Sequence, residues 1–139
     1  MKRFTQILCL ILIVVIILAV PAYAAQQASM FFAKLSCYLW ETSDTQFQVW
    51  FNVTATGGMD ELGASEIVVQ RSSDGVNWSN EQTYYNLTAS NTGYHSGHVT
   101  FSRAISGNYY RARVTFYAEN SDGTGEYTDY TSSIYWTRP

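Results

Sequence analysis

Residues 46–55, Gln-Phe-Gln-Val-Trp-Phe-Asn-Val-Thr-Ala, place an apolar side chain at every second position. Phe47, Val49, Phe51, Val53 and Ala55 alternate with Gln46, Gln48, Trp50, Asn52 and Thr54. Successive side chains of an extended chain leave on opposite sides, so this rhythm predicts a strand with one dry face and one wet face. The same period runs through 31–40, with Phe31, Ala33, Leu35, Cys37 and Leu39 opposed to Phe32, Lys34, Ser36, Tyr38 and Trp40. It returns at 109–117, where Tyr110, Ala112, Val114 and Phe116 alternate with Tyr109, Arg111, Arg113, Thr115 and Tyr117. Burying the first of those sets turns Arg111 and Arg113 outward, which predicts a solvated face with cross-strand carboxylate neighbours. Further strands are predicted at 66–72, at 83–86, at 97–102 and over a last run ending near Trp136. Turn signals separate them: Glu41-Thr-Ser-Asp44, Asp74-Gly75 and Asn120-Ser-Asp-Gly-Thr-Gly125. At 66–72 the consecutive Ile67, Val68 and Val69 leave the phase open. No helical apolar pattern of useful length follows residue 24. The expectation is an all-β fold, a seven-stranded antiparallel sandwich of two sheets.

The start of the chain is of another kind. Lys2 and Arg3 precede an unbroken apolar run over 7–20, Pro21 interrupts it, and Ala22-Tyr23-Ala24 has the small-x-small form that a signal peptidase cleaves. Residues 1–24 are read as a helical signal peptide and 25–139 as a single sandwich domain, secreted to the extracellular side with no mature transmembrane segment. The whole chain holds 8 basic and 11 acidic residues; losing Lys2 and Arg3 lowers the first number to 6 and the net charge to −5. That balance argues against nucleic acid as a partner. Cys9 leaves with the signal, so Cys37 is the sole remaining thiol and no internal disulfide is available. Its place in the alternation is inward, where a thiol acts as a small hydrophobe; a bridge between two chains is the competing expectation.

The run Ile105-Ser-Gly-Asn-Tyr-Tyr110, leading into Tyr110-x-Ala112-x-Val114, resembles the corner and sixth strand of fibronectin type III and other immunoglobulin-like domains. The resemblance implies that Tyr110 is the structural corner tyrosine, hydrogen-bonded back across the turn, with Ala112 where antibody domains carry a cysteine. The intersheet disulfide of those domains is missing here. The hairpin Val68-Gln-Arg-Ser-Ser-Asp-Gly-Val-Asn-Trp78 and the Gly-x-Tyr-Tyr-Arg-x-Arg strand are more narrowly similar to a group of small uncharacterised exported proteins of Gram-positive, clostridia-like bacteria. That likeness implies a fold and a compartment, and no activity.

Catalytic signatures are absent from the sequence. His95 and His98 are the only histidines, and their i, i+3 spacing on an extended segment sends them to opposite faces, so no shared metal is expected. There is no nucleophile elbow, zinc signature or phosphate loop. Oxygen side chains around Asn120-Ser-Asp-Gly-Thr-Gly-Glu126 superficially resemble a calcium loop, yet the twelve-residue ligand set is incomplete and an Asp122-Gly123 hairpin turn accounts for the same residues. Neither an enzyme, a cofactor nor a metal is expected. What the alternation does leave outside is aromatic: Phe32, Tyr38, Trp40 and Trp50, interleaved with Gln46, Gln48 and Asn52. Flat rings stack on the apolar body of a sugar while amides meet its hydroxyls. The expected function is a secreted, non-catalytic binding module for a glycan or a protein partner at the cell envelope, with Tyr38, Trp40, Gln48 and Trp50 as candidate contacts. The alternative expectation is a structural or self-assembling extracellular protein, and cross-strand aromatic pairs that only stabilise the sheet would leave no site at all.

Overall fold

A computed structural model describes residues 30–138. The expected signal peptide at 1–24 lies outside the described residues. The described residues form six strands: β1 (Phe32–Glu41), β2 (Phe47–Ser72), β3 (Ser79–Phe101), β4 (Asn108–Asn120), β5 (Gly123–Tyr130) and β6 (Ile134–Trp136). All pairings are antiparallel, in the order β1-β2-β4-β5, with β3 also on β2 and β6 also on β4. The architecture is a nearly all-β, curled antiparallel sheet.

Strand β2 is the axis of the curl. Its first part, 47–55, lies between β1 and the end of β3, and its second part, 61–72, lies between the start of β3 and β4. The β2–β3 register breaks between Thr54 and Met59, and the β2–β4 register breaks between Ala64 and Glu66. Each irregularity bends the strand, and the one between Ala64 and Glu66 shifts which side the following residues face. The buried set therefore runs Phe47, Val49, Phe51, Val53, Ala55, then Met59, Leu62 and Ala64, then Ile67 and Val69. Opposite them stand Tyr110, Ala112, Val114, Phe116 and Ala118 of β4, each fully buried. The curl closes on an aromatic cluster in which Phe47 meets Phe101 at 5.2 Å, Tyr110 at 5.4 Å and Trp136 at 5.7 Å between ring centres. The Trp136 indole N–H donates to the Asp44 carbonyl at 2.8 Å, so its one polar atom is satisfied inside the core.

Six strands stand where the periodicity predicted seven. The run at 66–72 continues β2 without a break, and those at 83–86 and 97–102 both belong to β3. The last predicted strand is instead divided in two by Thr131. Its N–H donates to the Ala112 carbonyl and its hydroxyl accepts from the Ala112 N–H, both at 2.9 Å, which interrupts the ladder between β5 and β6. The open phase at 66–72 resolves with Ile67 and Val69 in the core cluster; Val68 is buried on the other face. Phe32, expected outside, is half-buried against the core, because the β1–β2 register shifts between Phe32 and Lys34. The same shift leaves Ala33 exposed.

The β2–β3 turn is organised by Asp74, whose carboxylate accepts from the N–H groups of Asn77 at 2.8 Å and Val76 at 2.9 Å. These bonds, the one from Asn77 first, hold the Asp74 carboxyl below the usual carboxylate range. In the β4–β5 hairpin Asn120 pairs with Gly123 across Ser121 and Asp122, and the positive φ is carried by Gly123 at +136° and not by Asp122.

Cys37 is half-buried and packs against the core. Burial, reinforced by the Asp129 carboxylate, pushes its thiol pKa up to about 12. Near neutral pH the thiol stays protonated, and a membrane-impermeant thiol reagent is expected to modify it far more slowly in the native chain than in denaturant. Rapid, complete native modification at pH 8 would contradict this placement. Because the folded-state value is raised, the stabilising preference for the neutral thiol is intact below about pH 9 and is lost as pH rises towards about 12.

Candidate ligand-binding face

The outer surface of the β1–β2–β3 section is built from the residues that the core leaves over. Across the three strands the register aligns Tyr38, Trp50 and His98 in one row, Trp40, Gln48 and Thr100 in the next, and Ser36, Asn52 and Ser96 on the other side of the first. All point away from the core, because each alternates with a core neighbour: Val49, Phe51, Val53 and Val99. The pairing thus brings the four sequence candidates, Tyr38, Trp40, Gln48 and Trp50, onto one face.

Within the central row Trp50 is flanked on both sides. Its ring lies 6.4 Å from Tyr38 at an interplanar angle of 4°, and 4.4 Å from the His98 imidazole at 27°. The indole N–H donates to Gln48 Oε1 at 2.9 Å, which fixes the ring and leaves the Gln48 amide N–H groups for a ligand. Trp50 is half-buried, whereas Tyr38 and Trp40 expose 44% and 60% of their surface. The outer two therefore have the area to contact a ligand, while Trp50 is the preorganised centre. Trp40 makes no ring stack among the described residues.

Beyond the stack, Lys34, Ser36, Asn52, Thr54 and Tyr94 line an open concavity of about 260 Å³. Asn52 Nδ2 donates to Ser36 Oγ at 3.3 Å, and the Tyr94 hydroxyl donates to Asn52 Oδ1 at 3.4 Å. Aromatic stack and polar concavity are contiguous along the strands. His98, Tyr94, Ser36 and Lys34 were not among the sequence candidates. Lys34 and Ser36 already stood on the outward side of the first run, whereas the signal for Tyr94 and His98 was the outward alternation Tyr94, Ser96, His98, Thr100 against Val99 and Phe101, readable only once β3 is known to lie beside β2.

The two histidines diverge: His98 stacks on Trp50 outside, while His95 meets the fully buried Phe51 edge-on at 5.5 Å. Tyr110 is fully buried, and its hydroxyl oxygen accepts the Ile105 N–H at 2.9 Å across the corner before β4.

Arg111 and Arg113 face away from the core, but only one matches the solvated picture. Arg113 pairs with Glu66 at 3.0 Å. Arg111 is instead enclosed: its guanidinium lies 4.3 Å from the Trp78 ring centre and 4.6 Å from that of Tyr130, and its Nε–H donates to Gln70 Oε1 at 2.8 Å. Gln70 is itself buried and donates to Asn80 Oδ1 at 2.9 Å. Held between two rings and tied through Gln70 to Asn80, the Arg111 side chain acts as a structural clamp on this second face.

Comparison with protein-family models and with curated proteins finds no match for this chain.

Proposed function

We propose that this protein is a secreted, non-catalytic binding module that holds a glycan of the cell envelope or extracellular matrix on the outer face of β1, β2 and β3. The observation that carries the reading is the Tyr38–Trp50–His98 row, a fixed aromatic platform with Gln48 beside it and a hydroxyl- and amide-lined concavity next to it. Such a platform suits the apolar face of a pyranose, and the adjacent amides and hydroxyls suit its hydroxyl groups. Export is supported by the charged start, apolar run and Ala-x-Ala of residues 1–24.

The scaffold of this reading is a fibronectin type III-like or immunoglobulin-like sandwich. Residues 32–41, 47–55 and 94–101 make one layer of it, and 79–90, 61–72, 109–120 and 123–130 make the other. In this view the expected seven runs persist, but two neighbouring pairs are fused into β2 and β3, which pass from layer to layer at bends. The bond from Ile105 N–H to Tyr110 is the one the resemblance implies for the corner.

The test is retention of the released chain on cellulose, chitin and peptidoglycan, alongside Trp50→Ala. The parent is expected to be held by at least one of them. The variant should bind about tenfold or more weakly, at 1.4 kcal/mol per decade, with its circular dichroism unchanged. Equal retention of both proteins removes Trp50 from the site, and no retention of either on any glycan overturns the glycan reading.

A further inference from the structure

The chain carries 11 acidic residues, yet the cross-strand rows that run from Lys34–Thr54–Tyr94 to Trp40–Gln48–Thr100 hold one lysine and no carboxylate. That lysine is also distinct from the other cations. Arg71, Arg113 and Arg138 pair with carboxylates, Arg103 donates to Gln82, and Arg111 is enclosed by two rings. Lys34 is exposed, and among the described residues it is the one cationic side chain with no such partner. An acidic chain that keeps carboxylates off one face and leaves an ammonium group unpaired there is complementary to an anion at that point.

The surroundings of Lys34 supply donors. It rims the concavity that Ser36, Asn52, Thr54 and Tyr94 complete. Asn52 Nδ2 gives one hydrogen to Ser36 Oγ and keeps its second, and the Ser36 and Thr54 hydroxyls keep theirs. The Tyr94 hydroxyl donates to Asn52 Oδ1, which occupies the amide acceptor that would otherwise face an incoming anion. An ionised carboxylate only accepts hydrogen bonds, and charge-assisted bonds from an ammonium group are the strong kind, so this donor set suits it. Lys34 and Tyr38 lie four residues apart on β1, about 13 Å at the rise of a strand. One sugar ring is shorter than that. A ligand stacked on the Tyr38–Trp50–His98 row therefore reaches Lys34 through a further sugar unit.

We propose that the concavity beside Lys34 is a subsite for a sugar-borne carboxylate, so that the preferred ligand is an acidic oligosaccharide with a neutral ring on the aromatic row and a carboxylated unit at Lys34. The inference rests on the glycan reading above and narrows it. The overall acidity of the chain does not oppose such a ligand, because exposed charges farther away than about 8 Å are largely screened at physiological salt.

Two kinds of sugar carry the carboxylate, a uronic acid and a lactyl-substituted amino sugar, and the test has an arm for each. Binding of the released chain is measured to oligosaccharides of alternating glucuronate and N-acetylglucosamine, against the same oligosaccharides with the carboxyls reduced to alcohols. The second arm uses alternating N-acetylmuramate and N-acetylglucosamine, against chitin oligosaccharides. At least one acidic ligand should bind about fivefold or more tighter than its neutral counterpart. Lys34→Gln should erase that preference and leave neutral binding unchanged, while Lys34→Arg should retain it. In the parent protein the preference should shrink as salt is raised, a readout that needs no variant. A neutral counterpart that binds as tightly as the acidic ligand overturns the proposal, as does a preference that survives in Lys34→Gln or is indifferent to salt. If the neutral ligands still bind and Trp50→Ala weakens them, the glycan reading stands without this subsite; binding of none of the four removes both.

Discussion

Phe47→Ala is expected to cost about 3–5 kcal/mol of unfolding free energy, the range for emptying a buried aromatic site. Phe47 has no exposed surface, opens β2, pairs with both Glu41 and Phe101, and touches Phe101, Tyr110 and Trp136 through its ring. Those partners come from β3, β4 and β6, so the ring ties together the strands on either side of the curl. The neighbours are themselves rigid rings, two of them anchored by hydrogen bonds to Ile105 and Asp44, and they have little freedom to collapse into the vacancy. Against a total stability of about 5–15 kcal/mol, the loss is about a fifth or more of what holds the fold. Urea denaturation followed by circular dichroism should show a lower midpoint with an unchanged slope. A loss under about 1 kcal/mol would mean that the cluster is not packed as described. Val76→Ala, at a side chain 76% exposed, should stay within about 0.5 kcal/mol of the parent.

The legibility of the fold in the sequence follows from where alternation survives. In β4 it survives throughout: Tyr110 to Ala118 bury every second residue without exception, and the strand was readable directly. In β2 it does not. The buried set changes parity between Met59 and Leu62 and again at the Ser65 irregularity, so one continuous strand looks like two separate ones. Val68 hides the phase in another way. It lies on the outer face with Thr83 and Arg113 as cross-strand partners, and the Arg113–Glu66 ion pair runs over that face, so both sides of a central strand are dry. Hydrophobicity alone cannot then say which side is the core. Arg111 shows the converse limit. Its outward direction followed from the period, but its enclosure by Trp78 and Tyr130 depends on which strands and turns adjoin β4, information that no local window holds.

The outer aromatic face was legible to the same degree. Tyr38, Trp40, Gln48 and Trp50 come from two consecutive strands joined by a short turn, and a hairpin register suffices to assemble them. His98 and Tyr94 come from across β3 and complete the face only through long-range pairing. Local pattern thus identified half of the platform, and topology supplied the half that turns scattered rings into a surface.

Gly63→Ala is the second substitution for which a large loss is expected, despite adding only a methyl group. Gly63 sits in the part of β2 held on both sides, paired with Thr88 of β3 and Tyr117 of β4. A Cβ built there would run into the Leu87 carbonyl oxygen and stand 2.7 Å from the Thr88 Cα, and its φ of +158° is one that L side chains rarely adopt. The obstacles are backbone atoms, which cannot swing aside as a side-chain tip can, and β2 cannot retreat because β4 holds its other edge. Two effects oppose each other. Alanine restricts the unfolded chain and gains about 0.4–1 kcal/mol where its conformation is tolerated. Forcing packed backbone apart costs about 1–3 kcal/mol, occasionally more. The second wins, and the melting temperature should fall by roughly 4–8 °C for each kcal/mol lost. Gly57→Ala provides the contrast, since nothing lies within 4 Å of its added carbon; it should be neutral or slightly stabilising. A Gly63 variant that melts at or above the parent temperature would show that β2 and β3 are not in close backbone contact at this point, and with it the path by which the sheet curls would have to be redrawn.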